Sequence, residues 1–157
     1  MNVPRTLLRW LPTFLAFPLG GIASIAVVGP VRSTLTAALA GLVAGAVVGL
    51  GQWLALRGRG VGARWIALTS GGMAVGAGLA AVVTATATTT GALVATGAIT
   101  GAVVGLAQSN ALRRGIAARS RWVLAVSASW ALAWWTTAQV IVDAERAGWR
   151  CSVRRNA

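Results

Sequence analysis

Gln52 and Gln108 each close an apolar run, and each is followed five residues later by an arginine, Arg57 and Arg113. A primary amide at the end of an apolar segment carries two donors and an acceptor that need partners. Two arrangements would satisfy them: the amides bond each other or facing backbone across an internal axis and so fix register, or they form a polar ring at a permeation or ligand site. The arginines mark the water boundary, because a guanidinium at a bilayer centre costs about 2.5 to 3.5 kcal/mol. Trp10, Trp65 and Trp122 each follow an arginine directly and read as interfacial anchors at one depth. Trp130, Trp134 and Trp135 lie inside the last apolar run. They could stack on a lipid or a pigment, or serve as bulk packed into glycine grooves. Asp143, near Gln139, stands at helical spacing from Arg146 and is expected to pair with it at the headgroups.

The inventory for catalysis is thin. The chain has no His, one Cys (Cys151) and two acids, Asp143 and Glu145. Acid-base pairs, metal clusters and His-dependent triads therefore lack raw material. No Gly-Lys-Ser/Thr phosphate loop occurs. No enzyme activity, metal or cofactor is expected. The net charge of +12 comes from fourteen arginines with no lysine. In a soluble chain this balance suggests nucleic acid, but here the arginines lie between apolar blocks and form no continuous stripe, so nucleic acid is not expected as a partner.

Those blocks decide the solvent. Of the 157 residues 57% are hydrophobic and 10% charged, against roughly 25% charged in an average soluble domain. The apolar residues come in blocks of about twenty, the length that crosses a hydrocarbon core of about 30 Å as a helix. The expected fold is all-α: a single polytopic membrane domain with spans near 10–28, 34–56, 65–84, 91–112 and 122–142, then a basic tail at 143–157. Pro12 and Pro18 interrupt the first block, so it reads as a kinked span or, with Arg5 and Arg9 as a basic leader, as a signal peptide. Arginines flank the first span and fill the two-to-three and four-to-five connections, whereas the three-to-four connection is threonine-rich and uncharged. The positive-inside rule then puts the amino terminus and both arginine-rich loops in the cytoplasm. Five crossings send the tail, with Arg150, Arg154 and Arg155, outside; the alternative is a re-entrant last segment and a cytoplasmic tail.

The chain also repeats itself. Residues 45–57, GAVVGLGQWLALR, return at 101–113 as GAVVGLAQSNALR, ten of thirteen positions being identical. Each copy is followed by a basic loop and a new Arg-Trp opening, giving the order B-A-B-A-B, where A ends in Gln-x-x-x-Leu-Arg and B begins with Arg-Trp. Two-span units keep their orientation, so the two-helix repeat is parallel, about an axis near the membrane normal. Gly41, Gly45 and Gly49 and their counterparts Gly97, Gly101 and Gly105 recur every four residues, each trio on one helix face. Such bare stripes let helices approach closely, which in lipid replaces the missing hydrophobic drive between them; a glycine-lined pore is the other reading.

Gly45, Gly49, Gln52, Trp53, Leu56 and Arg57, followed by a basic loop and Trp65, resemble the repeated G-x3-G-x2-Q-W-x2-L-R helices of a group of small bacterial multi-pass membrane proteins. The resemblance covers roughly residues 41 to 135, and the second copy departs from it at Ser109 and Asn110. It implies a multi-pass protein of the bacterial inner membrane and brings no established activity with it. The expected function is that of a non-enzymatic structural or accessory subunit of a larger membrane assembly, with lipids and other subunits or further copies as partners. The alternative is a small transporter or channel with Gln52 and Gln108 near its cytoplasmic gate.

Overall fold

The computed structural model describes residues 3–112 and 115–155. Among them the chain is entirely helical in its regular structure: α1 Val3–Val28, α2 Thr34–Leu56, α3 Arg64–Thr84, α4 Thr90–Ser109 and α5 Ile116–Arg155. Four stretches are long and apolar enough to cross a membrane: Trp10–Val28, Thr34–Leu56, Arg64–Thr84 and Thr90–Ser109. The fifth helix is long enough, but its tryptophans, hydroxyls and Gln139 dilute its apolar character. Its 40 residues run without a break from the expected span at 122–142 into the expected tail, over about 60 Å at helical rise.

Local chemistry sets the helix ends. Gly29, at φ +81°, and Pro30 stop α1. Ser33 then caps α2 reciprocally with Thr36: the Thr36 N–H donates to Ser33 Oγ, and the Ser33 N–H donates to Thr36 Oγ1. Thr89 caps α4 by accepting from the Ala92 N–H. Both prolines of the first block stay inside α1, which remains one helix.

One boundary differs from the sequence expectation. The fourth span was expected to run to Leu112, in parallel with α2, yet α4 ends at Ser109. In the second copy Ser109 and Asn110 replace Trp53 and Leu54. The Asn110 amide donates back to Leu106 O and the Ser109 hydroxyl donates to the same carbonyl. Side chains that bond nearby backbone in this way compete with helix propagation.

Among the described residues, backbone packing joins only helices adjacent in sequence: α1 with α2, α2 with α3, α3 with α4 and α4 with α5. Two interface types alternate. At the first, an added Cβ on Gly41 would strike the Met73 carbonyl, one on Gly45 would lie 2.7 Å from Ser70 Cα, and one on Gly49 3.0 Å from Ile66 Cα. The α4·α5 interface repeats this register: an added Cβ would stand 2.6 Å from Trp130 O at Gly97, 2.9 Å from Ser127 Cα at Gly101 and 2.9 Å from Val123 Cα at Gly105. At the second type, Gly20 and Ala16 of α1 rest on Ala44 and Gly51 of α2, while Gly76 and Gly72 of α3 rest on Thr100 and Ala107 of α4. Most of these glycines approach a neighbouring backbone more closely than a Cβ of their own would allow. The buried centre is Val48, Met73 and Val104, flanked by Ala44, Val126 and Trp130.

Candidate binding site at the arginine-rich end

The succession of neighbours bends into an arc whose ends approach through side chains. Phe17 of α1 meets Trp130 of α5 edge-on, with ring centroids 5.7 Å apart. Trp65 of α3 meets Trp122 of α5 in the same manner at 6.2 Å. The arc borders a half-open cavity of about 890 Å³ at the end that carries Arg59 and Arg121, with Trp10, Gln52, Trp65 and Trp122 also lining it. A smaller space of about 210 Å³ shares Gln52, Trp122 and Ala125 with it and adds Gln108 and Trp130.

Gln52 and Gln108 come together as a bonded pair. The Gln108 amide nitrogen donates to Gln52 Oε1 at 3.0 Å and to Thr69 Oγ1 at 3.0 Å. The Trp65 indole N–H donates to the same Gln52 oxygen at 2.9 Å, and Thr69 Oγ1 donates to Trp65 O. Gln108 is 1% exposed. An amide so enclosed needs these partners, since an unmet buried polar group costs about 1 to 3 kcal/mol.

The Arg-Trp residues do not share one environment. Trp65 is 2% exposed and turned inward onto Gln52. The bonded oxygen of Gln52 holds its indole there. Trp122 is partly buried, with its Nε1 enclosed and without an acceptor. Trp10 is the most open of the three. Arg57 is exposed at the end of α2, while Arg113 lies outside the described residues. The expected Asp143–Arg146 pairing likewise falls on side chains outside the described ones.

The remaining aromatic residues divide. Trp130 and Trp134 close over Gly97, whose added Cβ would stand 2.6 Å from both Trp130 O and Trp134 Cδ1. That is bulk packed into a glycine groove. Trp135 faces outward at 48% exposure.

Three polar residues make bonds that their sequence positions alone do not specify. Arg64 reaches from the start of α3 to the carbonyls of Ala111, at 3.3 Å, and Asn110, satisfying acceptors left where α4 ends. Ser70 donates to Leu42 O at 2.7 Å, and Ser127 donates to Ala98 O at 2.9 Å. A signal for that pair existed in the sequence: each serine stands five residues after an Arg-Trp opening.

No protein-family model matches the chain, and neither the curated proteins nor the solved structures contain a match to it.

Proposed function

We propose that the chain is a bacterial inner-membrane protein that crosses the bilayer five times with its amino terminus in the cytoplasm and acts without catalysis, as a structural or accessory subunit of a larger membrane assembly. The observation that carries this reading is the paired set of close interfaces, Gly41/Gly45/Gly49 on α3 and Gly97/Gly101/Gly105 on α5. They support a parallel B-A-B-A-B arrangement packed for lipid, where close backbone approach drives association. The outer surface supports it too: Phe14, Ile22, Ile25, Leu124 and Leu132 stand well exposed on the first and last helices. In water such a surface would aggregate; in lipid it is solvated. α5 counts as a fifth span because it packs in register with α4 along the whole glycine stripe.

Native mass spectrometry from a mild detergent tests the accessory role. The expected result is stable co-isolation with larger membrane subunits, together with no solute flux in liposomes. Recovery of a monodisperse chain without detergent would overturn the membrane assignment. Cysteines introduced at Arg59 and Thr88 report orientation, Arg59 being expected inside and Thr88 outside.

A specific observation also favours a small transporter or channel: Gln52 lines both spaces at the arginine-rich end, and Gln108 lines the inner one. Under that reading flux appears in liposomes and changes in Gln52→Leu.

A further inference from the structure

We infer that the cavity at the arginine-rich end is a binding site for a phosphate-bearing anion attached to an apolar body. The site's composition is one-sided. Arg59 and Arg121 contribute guanidinium donors, and Gln52 an amide. Trp10 and Trp122 line the cavity between them, with the buried Trp65 behind. The acids of the chain, Asp143 and Glu145, stand eighteen or more residues beyond Ala125 along α5, about 27 Å away at helical rise, so no carboxylate answers these cations from within.

The loop geometry adds to this. Arg59 sits between Gly58 at φ +83° and Gly60 at φ +78°, a reversal that residues with a Cβ adopt only under strain. Its guanidinium stays exposed at the cavity rim. Arg121 lines the cavity, and its Nε donates to Ala117 O at 3.3 Å. Arg64 is engaged elsewhere, on the carbonyls of Asn110 and Ala111, and the negative end of α4 is thereby covered. α3 and α5 begin at this end and α2 and α4 finish there, so opposed helix dipoles offset one another and the guanidinium groups supply the positive charge.

A planar fork of donors fits phosphate oxygens, and indole walls fit an apolar body. The route for that body is the seam between α1 and α5, which have no backbone packing against each other and touch at Phe17 and Trp130. A lipid phosphodiester headgroup entering from the side and a soluble phosphate entering from the mouth share this chemistry. The inference rests on the membrane reading above.

The test titrates the full chain in mild detergent with short-chain phosphatidylglycerol, short-chain phosphatidylcholine and inorganic phosphate, reading indole fluorescence and, by native mass spectrometry, retained lipid. The expected result is preferential binding of an anionic phosphate that weakens about tenfold or more in Arg59→Gln/Arg121→Gln, as loss of charge-assisted contacts implies. Arg32→Glu removes the same net charge at the opposite end and is expected to leave binding unchanged. Binding by phosphatidylglycerol but not by phosphate identifies a lipid headgroup; binding by phosphate alone would overturn the apolar body. Equal binding of phosphatidylglycerol and phosphatidylcholine, or equal weakening in Arg32→Glu, would overturn the inference. A chain that still needs detergent would then leave the membrane reading standing.

Discussion

The α2·α3 and α4·α5 interfaces have one register and different fillings. Met73 and Ala77 of α3 lie over Gly41, where Trp130 and Trp134 of α5 lie over Gly97. The reason is position in the arc. α3 is sandwiched and must be small on two faces, presenting Gly72 and Gly76 to α4 while its other face meets α2. α5 has a single backbone neighbour. Its residues at the positions of Gly72 and Gly76 are Ser129 and Ala133, both exposed. Relieved of a second close approach, the last helix uses indole bulk. Repetition fixed the register, and the number of neighbours set the side-chain size.

The largest expected effect breaks this comparison directly. Gly76→Leu drives a side chain into Thr100, whose Cα already stands 2.8 Å from a built Cβ. It should destabilise the fold by about 3 kcal/mol, an overpacking cost at its upper range because backbone must move. Ala133→Leu, at the matching place on α5, should change stability by less than about 0.5 kcal/mol, as exposed substitutions do. Thermal denaturation in detergent, followed by size exclusion, measures both. Equal losses would mean that α5 carries a close partner on that face.

The amide pair breaks the repeat in a second way. Gln52 Oε1 accepts from both Trp65 and Gln108, whereas Gln108 donates away and leaves the Trp122 Nε1 without an acceptor. Thr69, whose hydroxyl accepts from Gln108, has Val126 at its counterpart position. Gln52→Leu strands two donors and is expected to cost about 2 kcal/mol, while Gln108→Leu removes the donor itself and should cost about 1 kcal/mol. Chemical or thermal unfolding of the two variants side by side checks the order. Reversal would place the acceptor role on Gln108.

Much of this was legible in the chain. The helix count and the spacing of the glycines follow from periodicity and from a repeated phrase, whereas the bond between Gln52 and Gln108 was one of several arrangements the sequence left open. The inward turn of Trp65 was not legible. Arg-Trp at a span start describes depth along the normal and says nothing of azimuth, which depends on the neighbouring helix and on the acceptor at Gln52. The early end of α4 was signalled by Ser109 and Asn110, whose hydrogen-bonding habits outweighed the otherwise matching phrase. The cavity was invisible for a further reason: it is made by the closing of an arc, and Phe17 on Trp130 is a contact between residues 113 positions apart.

The smallest effect is where the two interfaces should agree. Ser70 to Leu42 O and Ser127 to Ala98 O are the same bond in both copies, at 2.7 and 2.9 Å. Interhelical hydrogen bonds in membranes average about 0.6 kcal/mol. Ser70→Ala and Ser127→Ala should therefore each lower stability by about that amount, with the carbonyls retaining their intrahelical donors. The double variant should lose the sum, since the two sites share no partner. A double-mutant cycle by thermal unfolding reads this out. A Ser70→Ala loss several times that of Ser127→Ala would show that the buried α3 holds its serine bond in a drier place than α5 does. The repeat would then be one of geometry alone, with the energy concentrated in the helix that has neighbours on both sides.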